Sequence, residues 1–144
     1  MRIRMLTTFA GLGLALLVGG CANKRPDITY EGWQKQAKPE IEYTSNDVVK
    51  ITLNWSRIGP FSRYDTRVRS SVFGGRIDVY GAQTCLGQFI RNDSMLPANG
   101  WWDIVCPDDS YAAGNFRLGS QGNIIGSGVD INGEPVTFDL PIPN

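Results

Sequence analysis

The side chains that could support acid–base, nucleophilic or metal chemistry in this 144-residue chain are fourteen carboxylates and three cysteines, with no histidine at all. Histidine is the commonest general base and the usual partner of a catalytic thiol, so its absence removes most hydrolytic arrangements. It also removes the ordinary mixed zinc ligand sets. Asp78, Asp103, Asp130 and Asp139 stand between alternating apolar residues, which places them on the outward, solvated side of strands. Asp108 and Asp109 follow Pro107, a turn composition in which aspartate serves the backbone. Asp130-Ile131-Asn132-Gly133 has part of a calcium loop but lacks the intervening oxygen ligand and the distal glutamate, and reads instead as a hairpin turn. Gly126-Ser127-Gly128 does not have the Gly-x-Ser-x-Gly spacing of a nucleophile elbow. The chain therefore reads as non-catalytic, with no metal and no cofactor.

Binding chemistry is better represented. Residues 56–76 carry Arg57, Arg63, Arg67, Arg69 and Arg76 against Asp65 alone, a net +4. Trp55, Phe61, Tyr64 and Phe73 are interleaved with them. Guanidinium forks match phosphate and carboxylate geometry and stack on aromatic rings. The five arginines and Tyr64 are thus candidate binding residues, with a solvated loop as the competing reading. A second candidate is Trp101 of the Trp101-Trp102 pair. Neighbours on a strand face opposite sides, so Trp102 is assigned to the core and Trp101 to the surface, exposed or covered by the loop from Asn92 to Ala98. From Asp93 to Asp139 the balance is acidic, −6. If the fold separates the two stretches, the domain is dipolar and could self-associate head to tail. The whole chain carries 14 basic and 14 acidic residues; without Arg2 and Arg4 of its first segment the balance is −2, which argues against a general nucleic-acid binder.

The first residues give a location. Arg2 and Arg4 precede an apolar run from Met5 to Val18, which is interrupted by Thr7, Thr8, Gly11 and Gly13. The run is shorter than the roughly 20 apolar residues of a spanning helix and has the layout of a secretory signal. Leu17-Val18-Gly19-Gly20-Cys21 closes it. An aliphatic residue three before a cysteine, followed by two small residues, resembles the lipobox of a bacterial lipoprotein, the substrate of signal peptidase II; valine stands where leucine is commoner. The resemblance covers only the first 21 residues. It implies cleavage before Cys21 and attachment of diacylglycerol and a further acyl chain such as palmitate. Two or more chains, at about 0.8 kcal/mol per buried CH₂, hold a protein stably on a bilayer. Ala22, rather than aspartate, follows the cysteine, which implies the outer membrane, on its periplasmic face or the cell surface.

With Cys21 lipidated, Cys85 and Cys106 remain. In an oxidising compartment two leftover cysteines usually pair, whereas a metal site or a reactive thiol would need further ligands or a base. A disulfide closing this loop is worth about 3 kcal/mol on the chain-entropy model.

These features need elements to hold them. Residues 1–20 read as the signal peptide and 21–47 as a polar, lipid-anchored tether. The tether reads first as a flexible spacer with two stray aromatics; the alternative is a short helix over Tyr30–Lys38 whose Tyr30 and Trp33 dock on the domain or rest at the lipid surface. Residues 48–144 read as one β domain. Apolar residues alternate in seven runs, around Ile51, Ile77, Cys85–Phe89, Trp102–Cys106, Phe116–Leu118, Val129–Ile131 and Val136–Leu140. Gly74-Gly75, Asn99-Gly100, Pro107-Asp108-Asp109, Gly119–Gly122 and Asn132-Gly133 read as turns, and Gly114, Gly126 and Gly128 as bulges or bends. The expected fold is all-β, an antiparallel meander of about seven strands forming a small sandwich or barrel with one disulfide. The expected function is that of a non-catalytic envelope lipoprotein whose β domain binds a protein partner or supports an assembly. The alternative is a module for an anionic glycan or lipid such as lipopolysaccharide or peptidoglycan; a hydrolase ranks third.

Overall fold

The computed structural model describes residues 29–35, 42–59, 62–92 and 99–141; Cys21 and the lipobox lie outside these residues. A short helix, α1 (Tyr30–Lys35), precedes eight strands: β1 (Ser45–Asn54), β2 (Arg63–Ser70), β3 (Gly74–Tyr80), β4 (Thr84–Arg91), β5 (Asn99–Val105), β6 (Tyr111–Leu118), β7 (Ile124–Asp130) and β8 (Pro135–Leu140). Each strand pairs antiparallel with the next, and β8 pairs with β1 to close a barrel. Connections after β1, β3, β5 and β7 gather at one end, here the near end. Those after β2, β4 and β6, with the start of β1, gather at the far end.

The meander thus resolves as a closed barrel rather than a sandwich, with eight strands rather than seven. The additional strand is β2, in the basic segment where no alternating apolar run was expected. Its inward positions are Tyr64, Thr66, Val68 and Ser70, alternating with Arg63, Asp65, Arg67 and Arg69. Half of its inward face is polar, so the apolar signal of period two is weak there. The β7 alternation also runs in the opposite phase to expectation. Val129 faces out, 54% exposed, while Asp130 takes the inward position and is buried. Asn99-Gly100 and Gly74-Gly75 are not turns but the first residues of β5 and β3.

Gly114, Gly126 and Gly128 produce no bulge, because β6 and β7 keep unbroken register through all of them. Their role is to leave room. Gly126 pairs directly with Phe138, Gly100 with Phe116 and Gly75 with Phe89. In each pair the ring of the phenylalanine lies over the facing glycine: a Cβ on Gly75 would sit 2.6 Å from Phe89 Cε1, and one on Gly100 would sit 2.5 Å from Phe116 Cζ. Three of the hairpins therefore use the same aromatic-over-glycine pairing, which lets large rings fill a narrow barrel. Trp102 meets Phe138 edge to face at 5.2 Å, and Phe89 meets Phe116 at 6.0 Å. A void of only about 10 Å³ remains among Ile51, Ile77, Trp102 and Phe138, about one water at most.

The wall is apolar inside and carries Lys50, Arg63, Asp65 and Arg67 outside, the reverse of a barrel that spans a membrane with its strands. Among the described residues no helix is long and apolar enough to cross one. Cys85 and Cys106 are bonded, as expected, with Cα atoms 4.2 Å apart. They face each other in the extension of the β4–β5 register, where Leu86 pairs with Val105, and a non-hydrogen-bonded antiparallel pair brings Cα atoms to about that spacing.

Candidate functional site

The candidate binding residues do not form one patch. Tyr64 is 7% exposed and belongs to the core, because its position in β2 is inward. Arg76 points outward from β3 but is also buried, covered by α1. Arg69 is tied to Asp78 at 2.9 Å across β2 and β3, and its guanidinium lies 5.7 Å from the Tyr43 ring centre. Asp65 takes a second pairing, with Lys50 at 2.6 Å. Arg57, Arg63 and Arg67 remain exposed. The basic stretch is thus partly neutralised between neighbouring strands, which weakens the dipolar arrangement. Trp101 faces outward and is 41% exposed; residues 93–98 of the loop expected to cover it lie outside the described residues.

Two aspartates expected to be solvated are buried instead. Asp130, at the near end of the barrel, accepts hydrogen bonds from Trp55 Nε1 at 3.2 Å and from the backbone N–H groups of Asn132 and Glu134. Burial alone would raise its pKa, but these bonds and the charge of Arg57 hold it below the usual carboxylate range. The turn joins the antiparallel strands β7 and β8 as the hairpin expected.

Asp103 is the centre of the more elaborate site, on the outer wall over β3, β4, β5 and β6. Gln88 Nε2 donates to it at 3.2 Å, and Trp33 Nε1 and Tyr111 OH both approach at 3.5 Å. Burial pushes the Asp103 carboxyl above its ordinary value, against the effect of these donors. Burial, with the charge of Asp103, pushes Tyr111 up to about 12. Burial likewise lowers Arg76.

Helix α1 closes this site. Thr29 caps it, its Oγ1 accepting from Gly32 N–H at 2.9 Å, which satisfies one of the free donors of the first turn. Glu31 and Lys35 pair along its exposed side. Asp109 of the β5–β6 connection accepts from Tyr30 N–H at 2.8 Å. Among the described residues Asp109 is the one non-glycine with positive φ, 61°, a conformation that aspartate tolerates better than most. Trp33 is 1% exposed and lies over Arg76, 3.8 Å from ring centre to guanidinium carbon. The expected spacer is therefore ordered here, with one of its two aromatics buried.

The energies of this docking nearly balance. Burying about 200 Å² of tryptophan gives about 5 kcal/mol. A desolvated cation–π contact adds about 2 kcal/mol, and two hydrogen bonds add about 1 kcal/mol each. Ordering the backbone of seven residues costs about 7–14 kcal/mol.

At the far end the barrel mouth opens into a cavity of about 150 Å³, lined by Val68, Phe89, Ile124 and Leu140 with Asp47 and Arg91. Asp47 and Arg91 occupy inward strand positions; Arg91 Nε is buried without a hydrogen-bond partner. Phe73, 63% exposed, and Val72 stand in the β2–β3 turn at this end. A shallower depression of about 320 Å³ at the near end is lined by Ile58, Arg63 and Tyr80. Sequence patterning could not find the far mouth: its polar members belong to strands β1 and β4, far apart in the chain. Trp33 takes the alternative reading of the tether, docked on the domain, and the site it docks into is made by strands far from it in the chain. Comparison with protein-family models, curated proteins and solved structures yields no match.

Proposed function

We propose that this protein is a non-catalytic, lipid-anchored envelope protein whose barrel binds a protein partner at its far mouth. The supporting observation is the cavity of about 150 Å³ beside exposed Phe73 and Val72, with Arg91 inside it. Pockets for small molecules run to about 300–1,000 Å³, so this one suits a single inserted side chain. Aromatic anchors with arginine nearby are the composition of interface cores. Anchorage rests on the lipobox at Cys21, and an outer-membrane location on Ala22. A barrel with a polar outer wall is compatible with a domain standing in water beside the bilayer.

A photo-crosslinking side chain at Phe73 tests the partner reading in intact envelopes. A discrete protein adduct at Phe73, weakened by Arg91→Gln and absent from a probe at Val129, is expected. Identical adducts from both positions would remove the far mouth as the contact. Fatty-acid labelling tests the anchor: the label should disappear in Cys21→Ser, and equal label in both chains would refute it.

The second reading, an anionic glycan or lipid headgroup, is favoured by the near-end depression. Its volume of about 320 Å³ falls in the small-ligand range, with Arg63 for the anion and Tyr80 for a ring face. Co-purifying lipopolysaccharide or peptidoglycan fragments, lost in Arg63→Ser with Tyr80→Ala, would support it over the first.

A further inference from the structure

We infer that α1 is a releasable latch that decides from which end, and at what distance, the barrel is tethered to its lipid anchor. The inference rests on the anchorage at Cys21 proposed above and goes beyond it.

Helix α1 takes no part in the barrel closure, which β1 and β8 complete without it. Trp33 and Tyr30 hold it to the barrel. A six-residue helix has no stability of its own in water, so undocking and melting are one event. The surface it leaves behind would be the polar set Arg76, Gln88, Asp103 and Tyr111. Water can satisfy the polar groups of all four once the helix has left.

The geometry gives undocking a consequence. Tyr30 is held at the near end by Asp109 of the β5–β6 connection. The chain enters β1 at the far end, where Thr44 N–H donates to Ser70 O at 2.8 Å. Counting from Cys21, the first residue with a described contact to the barrel is Tyr30 while α1 is docked and Tyr43 once it is free. At about 3.5 Å per residue the anchor can reach at most ~30 Å in the first case and ~80 Å in the second. Docked, the near end is tied toward the bilayer and the far mouth is presented away from it. Released, the tie moves to the far end and the near end turns outward. A partner segment that competes for the Arg76–Asp103 site would shift the protein from one arrangement to the other.

The test uses the lipidated, mature protein in phosphatidylethanolamine–phosphatidylglycerol vesicles with an acceptor dye on the headgroups. Donors are placed at the near end by Asn132→Cys and, separately, at the far end by Gln121→Cys. In the otherwise unaltered chain the near-end donor should transfer more than the far-end donor. Trp33→Ala should bring that ratio to one or below and raise amide exchange over residues 30–35 at least tenfold. Trp33→Phe should retain part of both effects. Unchanged ratio and unchanged exchange in Trp33→Ala, with vesicle binding intact, would overturn the latch. Failure to float with vesicles would refute the anchorage and its orienting consequence, while the exchange measurement still decides whether α1 is releasable.

Discussion

Trp33 lies over Arg76, with 3.8 Å between the indole centre and the guanidinium carbon, although the two residues come from opposite sides of β1 and β2 in the chain. The contact joins the only described helix to the outer wall of the barrel. A cation over tryptophan shielded from water is worth about 2 kcal/mol. Arg76→Gln should therefore raise exchange of the Trp33 indole N–H about tenfold or more while leaving global unfolding nearly unchanged. Arg76→Lys should recover only part, since an ammonium does not stack as a planar guanidinium does.

The Cys85–Cys106 bond joins two facing strand positions. Replacing both cysteines by serine should cost about 3 kcal/mol on the chain-entropy model, read as a lower urea midpoint with a slope no smaller, because the unfolded chain expands. Thiol counting of the denatured, unreduced mature protein should find neither of these cysteines free.

Gly126 sits beneath the ring of Phe138, where an added Cβ would lie 2.5 Å from Cδ1 and closer still to other ring atoms. Gly126→Ala should destabilise the barrel by roughly 2–3 kcal/mol, the cost of overpacking a filled core. Phe138→Leu alone should also destabilise. In combination the two should cost less than the total of the single changes, because the smaller side chain vacates the space that the new methyl needs.

Asp130 is held below the usual carboxylate range by its backbone and indole donors acting against burial. At pH values below its unfolded pKa the unfolded chain binds the proton more readily. Its contribution is present above that value and is lost as pH falls through the lower folded one. Asp130→Asn should cost about 2 kcal/mol at pH 7 and flatten the acid limb of a stability–pH curve measured by urea denaturation.

Asp103 has the opposite sign. Burial raises its carboxyl in the folded chain, so between the ordinary and the raised value the folded state holds a proton that the unfolded state has lost. Stability therefore falls as pH rises through that window. Asp103→Asn should abolish that slope and leave in place the lower limb, to which Asp130 contributes.

How much of this was legible follows from particular residues. Ile51 and Leu53, Ile77 and Val79, and Val136, Phe138 and Leu140 alternate with polar neighbours, and that local period is enough to assign strands. Cys85 and Cys106 shared an inward side by the same arithmetic, so the disulfide followed. Strand β2 escaped because Thr66 and Ser70 occupy inward positions without an apolar signal. The phase of β7 escaped because Gly126 and Gly128 leave the inward side blank, and Val129 and Ile131 then mimic an inward pair.

The amino-acid sequence by itself determined the all-β class, the antiparallel order, the pairing of the cysteines and the absence of histidine chemistry, because each depends on local period or on composition. Only the tertiary structure decided that the sheet closes between β1 and β8, that phenylalanine rings rest on facing glycines, and that Tyr64, Arg76, Asp103 and Asp130 are buried. Closure joins strands from the two ends of the domain, and burial on the outer wall depends on α1 crossing it. Both are relations between distant segments, set by the free energy of their contact, and no local pattern of residue types carries them.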